Sequence, residues 1–449
     1  MTSEEYHLRI ACVFGLAMLA LPGCLSAQQS RPAEQNPPAA AARPSRPSTG
    51  APPSVRITLD EALGLALEHN HALAAARTTI LESQALETTA NLRPNPVLSW
   101  DAQFLPIFEP DKFTADYLDS QAQFDLGLGY TLEIGGKRQH RLRAARDVTA
   151  ATRSTVTDNE RTLSFNVGQQ FIAAILAQST GDFTQQDLEG FQKTVDISET
   201  RYKAGAISEG DLLKITLQML QFQNDVLSAK LAKIQALSAL RQVLGFESVP
   251  DDYDVEGKHE YVPVHTSLDD LKALALRTRP DLRAAEQNVT AAQSAELLAE
   301  TNRKRDLTTT FNYSHVASTN TGAFFFNIQL PFFDRNQGEI ARTRHVITQN
   351  EQLARETSQQ VLTDVVNAYQ NLHTSAQIVQ LYESGYVDQA IKSRDISEYA
   401  YKRGAASLLD YLDAERTYRA NQLAYRQALA AYMTALEQMR QAAGTRNLP

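Results

Sequence analysis

The sequence predicts a mostly α-helical protein with an internal tandem duplication and a membrane β-barrel to which each chain contributes four strands. Three observations carry this prediction: blocks of sequence that occur twice in the same order, segments that alternate apolar and polar residues, and very long stretches without proline. The paired blocks are 57–77 with 266–286, 132–147 with 330–345, and 197–213 with 396–412. We therefore expect a first repeat over residues 55–246, a linker over 247–265 and a second repeat over 266–449.

The strands are predicted from a period of two. In "QAQFDLGLGYTLE" (121–133), apolar residues fall on one face, and Gly, Thr, Asp and Gln fall on the other. The same alternation marks residues 97–104, 307–315 and 323–330, although Phe325 interrupts the last of them. Strands of about ten residues fit a tilted membrane crossing. A soluble sandwich that buries the apolar face is the alternative at this point.

The helices are predicted from length and heptads. No proline lies between Lys137 and Lys203, and a continuous helix over that stretch would be about 100 Å long. Residues spaced three and four apart predict supercoiled helix pairs. They are Leu213, Leu217, Leu220, Asn224, Leu227, Leu231 and Ile234 in the first repeat, and Leu408, Tyr411, Glu415, Tyr418, Gln422, Tyr425, Leu429, Tyr432, Leu436 and Met439 in the second.

The first residues predict export. A cation and an apolar run too short to span a bilayer precede "LPGC", so we expect a signal peptide over residues 1–24 with a lipobox and a lipid on Cys24. Cleavage after Ala27 without lipidation is the alternative. Residues 25–54 are rich in Pro, Ala and Ser and are expected to form a disordered tether. Cys12 and Cys24 are the only cysteines, so the body has no disulfides.

Charge and composition argue against several function classes. The net charge of -9 disfavours nucleic acid as a partner, because nucleic-acid binding needs a basic face. The nine histidines lack metal-ligand spacing, and "EIGGKR" lacks the remaining residues of a phosphate loop. We therefore expect no enzyme activity, no resident metal and no cofactor.

Four strands per chain indicate an oligomer. A four-stranded sheet cannot close, and its edges would stay exposed in a membrane. Three chains supply twelve strands, an even number within the range of outer-membrane barrels. The sequence thus predicts a homotrimer. A periplasmic coiled-coil adaptor or other structural protein would also explain the heptads and is the alternative.

The duplicated order of helix, strand hairpin, long helix, "RYKAG" tip and returning helix resembles the TolC-like outer membrane efflux protein family over residues 57–444. "LRPNPVLS" (92–99) and "LEIGGKR" (132–138) are similar to the helix–barrel joints of the family, the latter to those of its cobalt–zinc–cadmium and heavy-metal branch. The resemblance implies a passive trimeric duct in the Gram-negative outer membrane, continued by a helical tunnel in the periplasm. It implies three kinds of partner: outer-membrane lipid, a periplasmic membrane-fusion adaptor and an inner-membrane resistance-nodulation-division pump. Metal cations and small organic molecules or drugs are the expected cargo.

The resemblance also assigns roles to residues. Adaptor-docking tips are expected at Gly205, Gly404, Ser208 and Ser407, and helix–barrel joints at Pro94, Pro96, Gly135, Gly136 and Pro331. A periplasmic gate is expected from Asp410, Asp413, Asp211 and Tyr401. "SEGD" (208–211) and "SLLD" (407–410) also predict helix-capping boxes, so capping is an equally good interpretation of Asp211 and Asp410. Ala406 stands where some members of the family carry an arginine of the gate.

Overall fold

The computed structural model describes residues 55–448, and most of them are helical. The helices are α1 (Leu59–His69), α2 (His71–Ala90), α3 (Ala115–Ser120), α4 (Lys137–Lys203), α5 (Glu209–Leu244), α6 (Leu268–Thr278), α7 (Pro280–Asn302), α8 (Gln337–Leu381), α9 (Val387–Lys402) and α10 (Leu408–Ala443). The strands are β1 (Arg56–Ile57), β2 (Val97–Gln103), β3 (Gln123–Leu132), β4 (Asp254–Val255), β5 (Leu307–Val316) and β6 (Thr319–Ile328). The predicted signal peptide, Cys24 and the tether lie outside the described residues.

The longest helix has the predicted bounds. Helix α4 is continuous over 67 residues, and glycines in the left-handed region stand at its two ends, Gly136 with φ 78° and Gly205 with φ 71°. Its counterpart in the second half is divided, because a turn of π-helix at Tyr382–Tyr386 separates α8 from α9. Among residues 55–448, no helix combines the length and the apolarity needed to cross a membrane.

The sheet has the order β2-β3-β5-β6, and all its pairs are antiparallel. Strand β6 begins at Thr319, four residues before the predicted start, and ends at Ile328. The difference comes from the hairpin turn, where Ala317 and Ser318 both have positive φ, at 52° and 57°. Two left-handed residues make the tight turn that matches strand twist, but Asn or Gly usually marks it in a sequence.

The sheet exposes its apolar face. The strand register places Leu98, Leu128, Phe311 and Phe324 in one row, and their exposed fractions are 70, 55, 45 and 71%. The neighbouring row on the opposite face is Ser99, Gly127, Asn312 and Ala323. A soluble sandwich would bury the apolar face, so that alternative does not fit. Phe325 breaks the alternation because it lies on the polar face, paired with Thr310.

Within residues 55–448, buried apolar side chains form three clusters. One joins α1, α4, α5 and the segment around Val249–Val255, and an equivalent one joins α6, α8 and α10. The third lies at the far end of the long helices and draws on α4, α5, α9 and α10. The element order and the first two clusters therefore repeat between the halves of the chain.

The predicted heptads behave differently in the two halves. In α10 most of the stripe is buried, including Tyr411, Tyr432 and Met439. In α5 the predicted stripe is exposed, with Leu217, Leu227 and Ile234 at 68, 63 and 66%. The buried residues of α5 are instead Ile215, Met219, Phe222, Val226 and Ala229, followed by Leu240 and Leu244 near its C-terminus. The first five of those positions also alternate by four and three, so α5 has two apolar seams, and the stripe singled out in the sequence is not the one that packs within the chain.

Candidate functional site

The two hairpin tips are built alike from backbone geometry. At the first tip, the N–H groups of Gly205 and Ala206 donate to the carbonyls of Tyr202 and Arg201, at 2.8 Å each. At the second tip, Gly404 donates to Tyr401 at 2.9 Å and Ala405 donates to Ala400 at 2.8 Å. This pair of hydrogen bonds at a helix C-terminus needs a residue in the left-handed conformation, and Gly404 has that conformation with φ 77°. Both tip glycines thus have positive φ.

Each tip continues into a capped helix. Ser208 precedes α5 and accepts a bond from the Asp211 N–H at 3.1 Å, while Ser407 precedes α10 and accepts from the Asp410 N–H at 3.2 Å. Only the second tip has the reciprocal bond, from the Ser407 N–H to the Asp410 carboxylate at 3.3 Å. The carboxylates of Asp211 and Asp410 therefore have capping partners beside their own helices.

Asp413 has a different environment. It lies one turn beyond Asp410 on α10, is exposed, and its carboxylate contacts the guanidinium of Arg416 at 2.5 Å. It takes no part in the cap. The pairing with Arg416 was not predicted from the sequence, and the charge of Arg416 offsets that of the carboxylate three residues away.

Tyr401 connects the two hairpins. Its side chain is buried at 3% exposure, and its hydroxyl lies 3.1 Å from the Ser198 hydroxyl on α4. The Arg201 guanidinium donates to the Tyr401 carbonyl at 2.7 Å and lies over the Tyr401 ring. The tyrosine on α9 is therefore held to α4, the long helix of the other repeat. Ala406 carries no charge, so the cation that contacts Tyr401 is Arg201.

Aromatic rings continue inward from Tyr401. The Tyr401 ring stacks on that of Tyr411 at 5.4 Å, Tyr411 faces Phe191 at 6.4 Å, and Phe191 stacks on Phe222 at 4.3 Å. These residues come from α9, α10, α4 and α5 in turn. The stack fills the space where the two hairpins of one chain meet.

A buried ionic cluster lies next to the aromatic stack. The Arg419 guanidinium on α10 contacts the carboxylates of Asp187 on α4 and Asp225 on α5, at 2.6 Å each, and it lies 3.9 Å above the Phe222 ring. Glu415, one turn before Arg419, is only 5% exposed. Three helices from both repeats are thus joined through one arginine.

Burial perturbs the ionisation of this cluster. Burial and the neighbouring Asp187 carboxylate raise the pKa of Glu415 to about 8, against the attraction of Arg394 and Arg419. Burial also raises the pKa of Asp187, although Arg419 opposes the shift. Glu415 therefore holds a proton at neutral pH.

The residues proposed for the helix–barrel joints lie between helices and strands. Gly135 and Gly136, with φ 86° and 78°, turn the chain from β3 into α4. The residues Pro94 and Pro96 lie between α2 and β2, and Pro331 lies between β6 and α8.

Arg141 is a further joint residue, and it was not predicted from the sequence. Its guanidinium donates to the carbonyls of Ala90 and Leu92 at 2.9 Å each, and it pairs with Glu133 at 2.7 Å. The arginine thereby holds the end of α2 to the start of α4. Its partners lie on separate elements, so no local pattern marks it.

Long-range partners also explain why the ionic cluster was not predicted. Arg419, Asp187 and Asp225 lie on three helices, and each is an ordinary charged position in a polar helix sequence. The one local signal is Glu415, a charged residue within an otherwise apolar heptad stripe. Within residues 55–448, no group of three or more His, Cys, Asp or Glu side chains is arranged to hold a metal ion.

Comparison with known proteins identifies the family. The cobalt–zinc–cadmium resistance protein CzcC of Cupriavidus metallidurans is 24% identical over 393 residues, which cover 87% of this chain and 88% of CzcC. The pyoverdine export outer membrane protein OpmQ of Pseudomonas putida is 24% identical over 386 residues, covering 80% of each chain. The outer membrane protein VceC of Vibrio cholerae has the same fold, with a TM-score of 0.69 at 18% identity over 86% of this chain and 96% of VceC. The profile of the outer membrane efflux protein family matches residues 62–246 and 271–445. The chain therefore belongs to the outer membrane efflux protein family.

Proposed function

We propose that three copies of this chain form a passive duct, which spans the outer membrane as a twelve-strand barrel and continues through the periplasm as a tunnel of helices. An inner-membrane resistance-nodulation-division pump supplies cargo and energy, and a periplasmic membrane-fusion adaptor docks on the hairpin tips. The repeats at 55–246 and 266–449, joined by the linker 247–265, are interpreted as products of a duplication that gives each trimer six tips.

The proposal rests on the four-stranded sheet β2-β3-β5-β6, because its apolar side chains are the exposed ones. Its apolar face is exposed and its polar face, with Gly127, Asn312 and the 7% exposed Asp125, is the more enclosed one. Such an arrangement is favourable with lipid outside and water inside. Strands β2 and β6 each have one unpaired edge, and an open edge is not stable in a hydrocarbon environment. A ring of three sheets pairs every edge.

The exposed seam of α5 supports the oligomer. Its six apolar side chains, from Leu213 to Ile234, are between 53 and 68% exposed in the single chain. Soluble surfaces rarely keep such a long apolar stripe uncovered. Its heptad spacing suits a helix from the next copy, so the tunnel wall closes through the same kind of contact that α10 makes inside the chain.

The tips supply the proposed gate. Asp410 and Asp413 lie three residues apart on α10 and so share one face of the helix. Three chains would bring these carboxylates toward one axis, while Tyr401 holds the hairpin to α4. The cap contacts of Asp211 and Asp410 make Asp413 the principal candidate for a cation-binding constriction. The tip turns at Gly205 with Ser208 and at Gly404 with Ser407 are the proposed adaptor contacts.

Similarity to CzcC and to OpmQ leaves two cargo classes. One relative is named for resistance to cobalt, zinc and cadmium, and the other for pyoverdine export. We propose metal cations as cargo on the basis of the "LEIGGKR" joint, with small organic molecules as the second class. A periplasmic adaptor is disfavoured, because the family match covers both repeats and the sheet exposes an apolar face. Lipidation of Cys24 would add a second anchor to the barrel.

The oligomer is tested on adjacent residues of α5. Leu231 is on the exposed seam, and Ala232 is exposed on another side of the helix. In detergent extracts of outer membranes, Leu231→Glu is expected to shift the protein from trimer to monomer in light scattering, because it places a charge inside an apolar contact. Ala232→Glu adds the same charge away from the seam and should remain trimeric. If Leu231→Glu stays fully trimeric, or if the wild type extracts without detergent as a monomer, the proposed duct is wrong.

A further inference from the structure

The helix–strand joint of the first repeat has two cations without carboxylate partners. Arg93 follows α2, and Arg138 lies in the first turn of α4. They line one cavity of about 290 Å³ together with Tyr130 and Leu132, from the end of β3. Neither arginine has an ion pair within residues 55–448, whereas Lys137 at the same joint pairs with Asp306 at 2.9 Å.

The joint of the second repeat has the same arrangement. Arg303 and Lys304 follow α7, and Arg335 precedes α8. All three line a cavity of about 860 Å³ and are exposed. None of these three cations has an ion pair in the described part of the chain. Glu300, which lines the same cavity, pairs instead with Arg344 at 3.3 Å. Five cations without carboxylate partners therefore occur at equivalent places of the two repeats, in a chain whose net charge is -9.

The position of the two joints indicates what the cations face. Both lie at the end of the sheet where β3 ends, at Leu132, and where β6 ends, at Ile328. The segment at the other end of the sheet, residues 104–122, has four carboxylates and one lysine. The excess of cations is therefore confined to the end from which the long helices leave.

We propose that each joint binds the headgroup of an anionic phospholipid from the periplasmic leaflet, and this inference rests on the proposed barrel. In that arrangement the apolar rows of the sheet meet the acyl chains, and the five cations lie at the depth of the phosphates. The carboxylates at the joints pair with other cations, Glu133 with Arg141 and Glu300 with Arg344, so an anionic headgroup supplies the counter-charge that these five cations lack. Cations at such a surface attract acidic lipid within a Debye length, so salt weakens the interaction.

The only tryptophan of the chain provides the measurement. Trp100 lies on β2, seven residues after Arg93, and is 69% exposed on the apolar face. Full-length protein is reconstituted in phosphatidylcholine vesicles that contain either brominated phosphatidylcholine or brominated phosphatidylglycerol at equal mole fraction. Bromine quenches Trp100 fluorescence only when the labelled lipid is adjacent. We expect brominated phosphatidylglycerol to bind about fivefold more tightly than brominated phosphatidylcholine.

A matched pair of variants locates the effect. In the double variant Arg93→Gln, Arg138→Gln, both brominated lipids should quench Trp100 equally. The double variant Lys193→Gln, Lys230→Gln removes two exposed cations from the tunnel helices, neither with an ion pair within residues 55–448, and should keep the wild-type preference. For the second joint, the triple variant Arg303→Gln, Lys304→Gln, Arg335→Gln should lose co-purified phosphatidylglycerol, measured by mass spectrometry of extracted lipid.

The outcomes separate this inference from the duct itself. Equal quenching of wild-type Trp100 by both lipids overturns the headgroup site and leaves the barrel intact. A preference that millimolar inorganic phosphate abolishes at constant ionic strength overturns it as well, because the cavities would then bind the free anion. Absence of quenching by either brominated lipid overturns the barrel proposal on which the inference rests.

Discussion

At the scale of single residues, Glu415 has the most unusual environment among the residues of the long helices. It is a carboxyl side chain buried beside Asp187, and Arg394 and Arg419 are the nearest cations. A buried carboxyl next to another carboxyl keeps its proton to higher pH, because the charged form loses hydration and meets a like charge. The helices of both repeats therefore meet around a group that titrates near physiological pH.

The first prediction follows from the raised pKa of Glu415. Between the ordinary value of 4.5 and about 8, the folded protein holds a proton that the unfolded chain has released. Stability from this group is thus complete below pH 4.5 and declines as the pH rises toward 8. Glu415→Gln, which stays neutral, should flatten the fall of Tm between pH 5 and pH 8, measured at one protein concentration. Exposed Glu209→Gln should keep the wild-type slope, and equal slopes for all three proteins would contradict the assignment.

The second prediction separates gating from capping at Asp410 and Asp413. If these carboxylates ring the pore, Asp413→Ala should relieve block by trivalent cations added from the periplasmic side in planar bilayers. Arg416→Ala removes the cation bonded to Asp413 and should strengthen the same block. Asp410→Ala should lower stability by about 0.5–2 kcal/mol through loss of the cap. Cation block that is unchanged in the Asp410→Ala, Asp413→Ala double variant would leave the duct without a carboxylate gate.

At the scale of elements, the two long helical arms differ in continuity. Helix α4 passes through Gly181 and Gly190 without interruption, and a Cβ added at either glycine would have no neighbouring atom within 4 Å. The second arm is broken at Gly385, whose φ of 122° lies in the region that residues with a side chain rarely adopt. The Tyr425 hydroxyl donates to Glu383 at 3.0 Å beside this break. The second arm therefore has a built-in bend above the tip, and the first does not.

The third prediction compares glycines of the two arms. Gly385→Ala should lower the free energy of unfolding by about 1–2 kcal/mol, because a Cβ is strained at positive φ. Gly181→Ala should raise it by about 0.4–1 kcal/mol, because alanine loses less backbone entropy in a helix and has free space here. Urea unfolding of the two variants measures both changes in the free energy of unfolding and their directions. A stabilising Gly385→Ala would show that the bend relaxes to a regular helix at no cost.

At the scale of the whole molecule, the fourth prediction concerns the two faces of the sheet. Leu128→Arg, in the middle of the outward apolar rows, should lower stability by about 2–4 kcal/mol in the membrane. Thr321→Arg, on the polar face, should cost much less, because that face meets water in the proposed barrel. Gly127 and Asp125 are unsuitable controls, since a Cβ on Gly127 would meet the Ser99 hydroxyl and Asp125 is buried. Urea titration of vesicle-embedded protein measures the difference, and equal losses would remove the membrane assignment.

How much the sequence predicts depends on whether the signal is local. Helix α4 is predictable to the residue, because Gly136 and Gly205 mark its ends and no proline lies between them. The start of β6 is not, since the turn at Ala317 and Ser318 has no Asn or Gly and Thr319–Gly322 has no apolar alternation. The partners of Arg419 escape prediction because they lie roughly two hundred residues away in sequence. The buried seam of α5 cannot be told from the exposed one in the sequence, because two heptad patterns overlap in one helix.

The two unpaired edges of the sheet have a consequence for how the proposed trimer comes into being. One chain has two open edges, and two joined chains still have two, so the first pairing leaves as many open edges on the complex as on a single chain. The third chain closes the ring and removes both at once. Ring closure therefore stabilises the complex more than the first pairing does. Complexes of two chains should consequently be scarce. The yield of finished channels should rise far more steeply than linearly with the rate at which chains are delivered to the outer membrane.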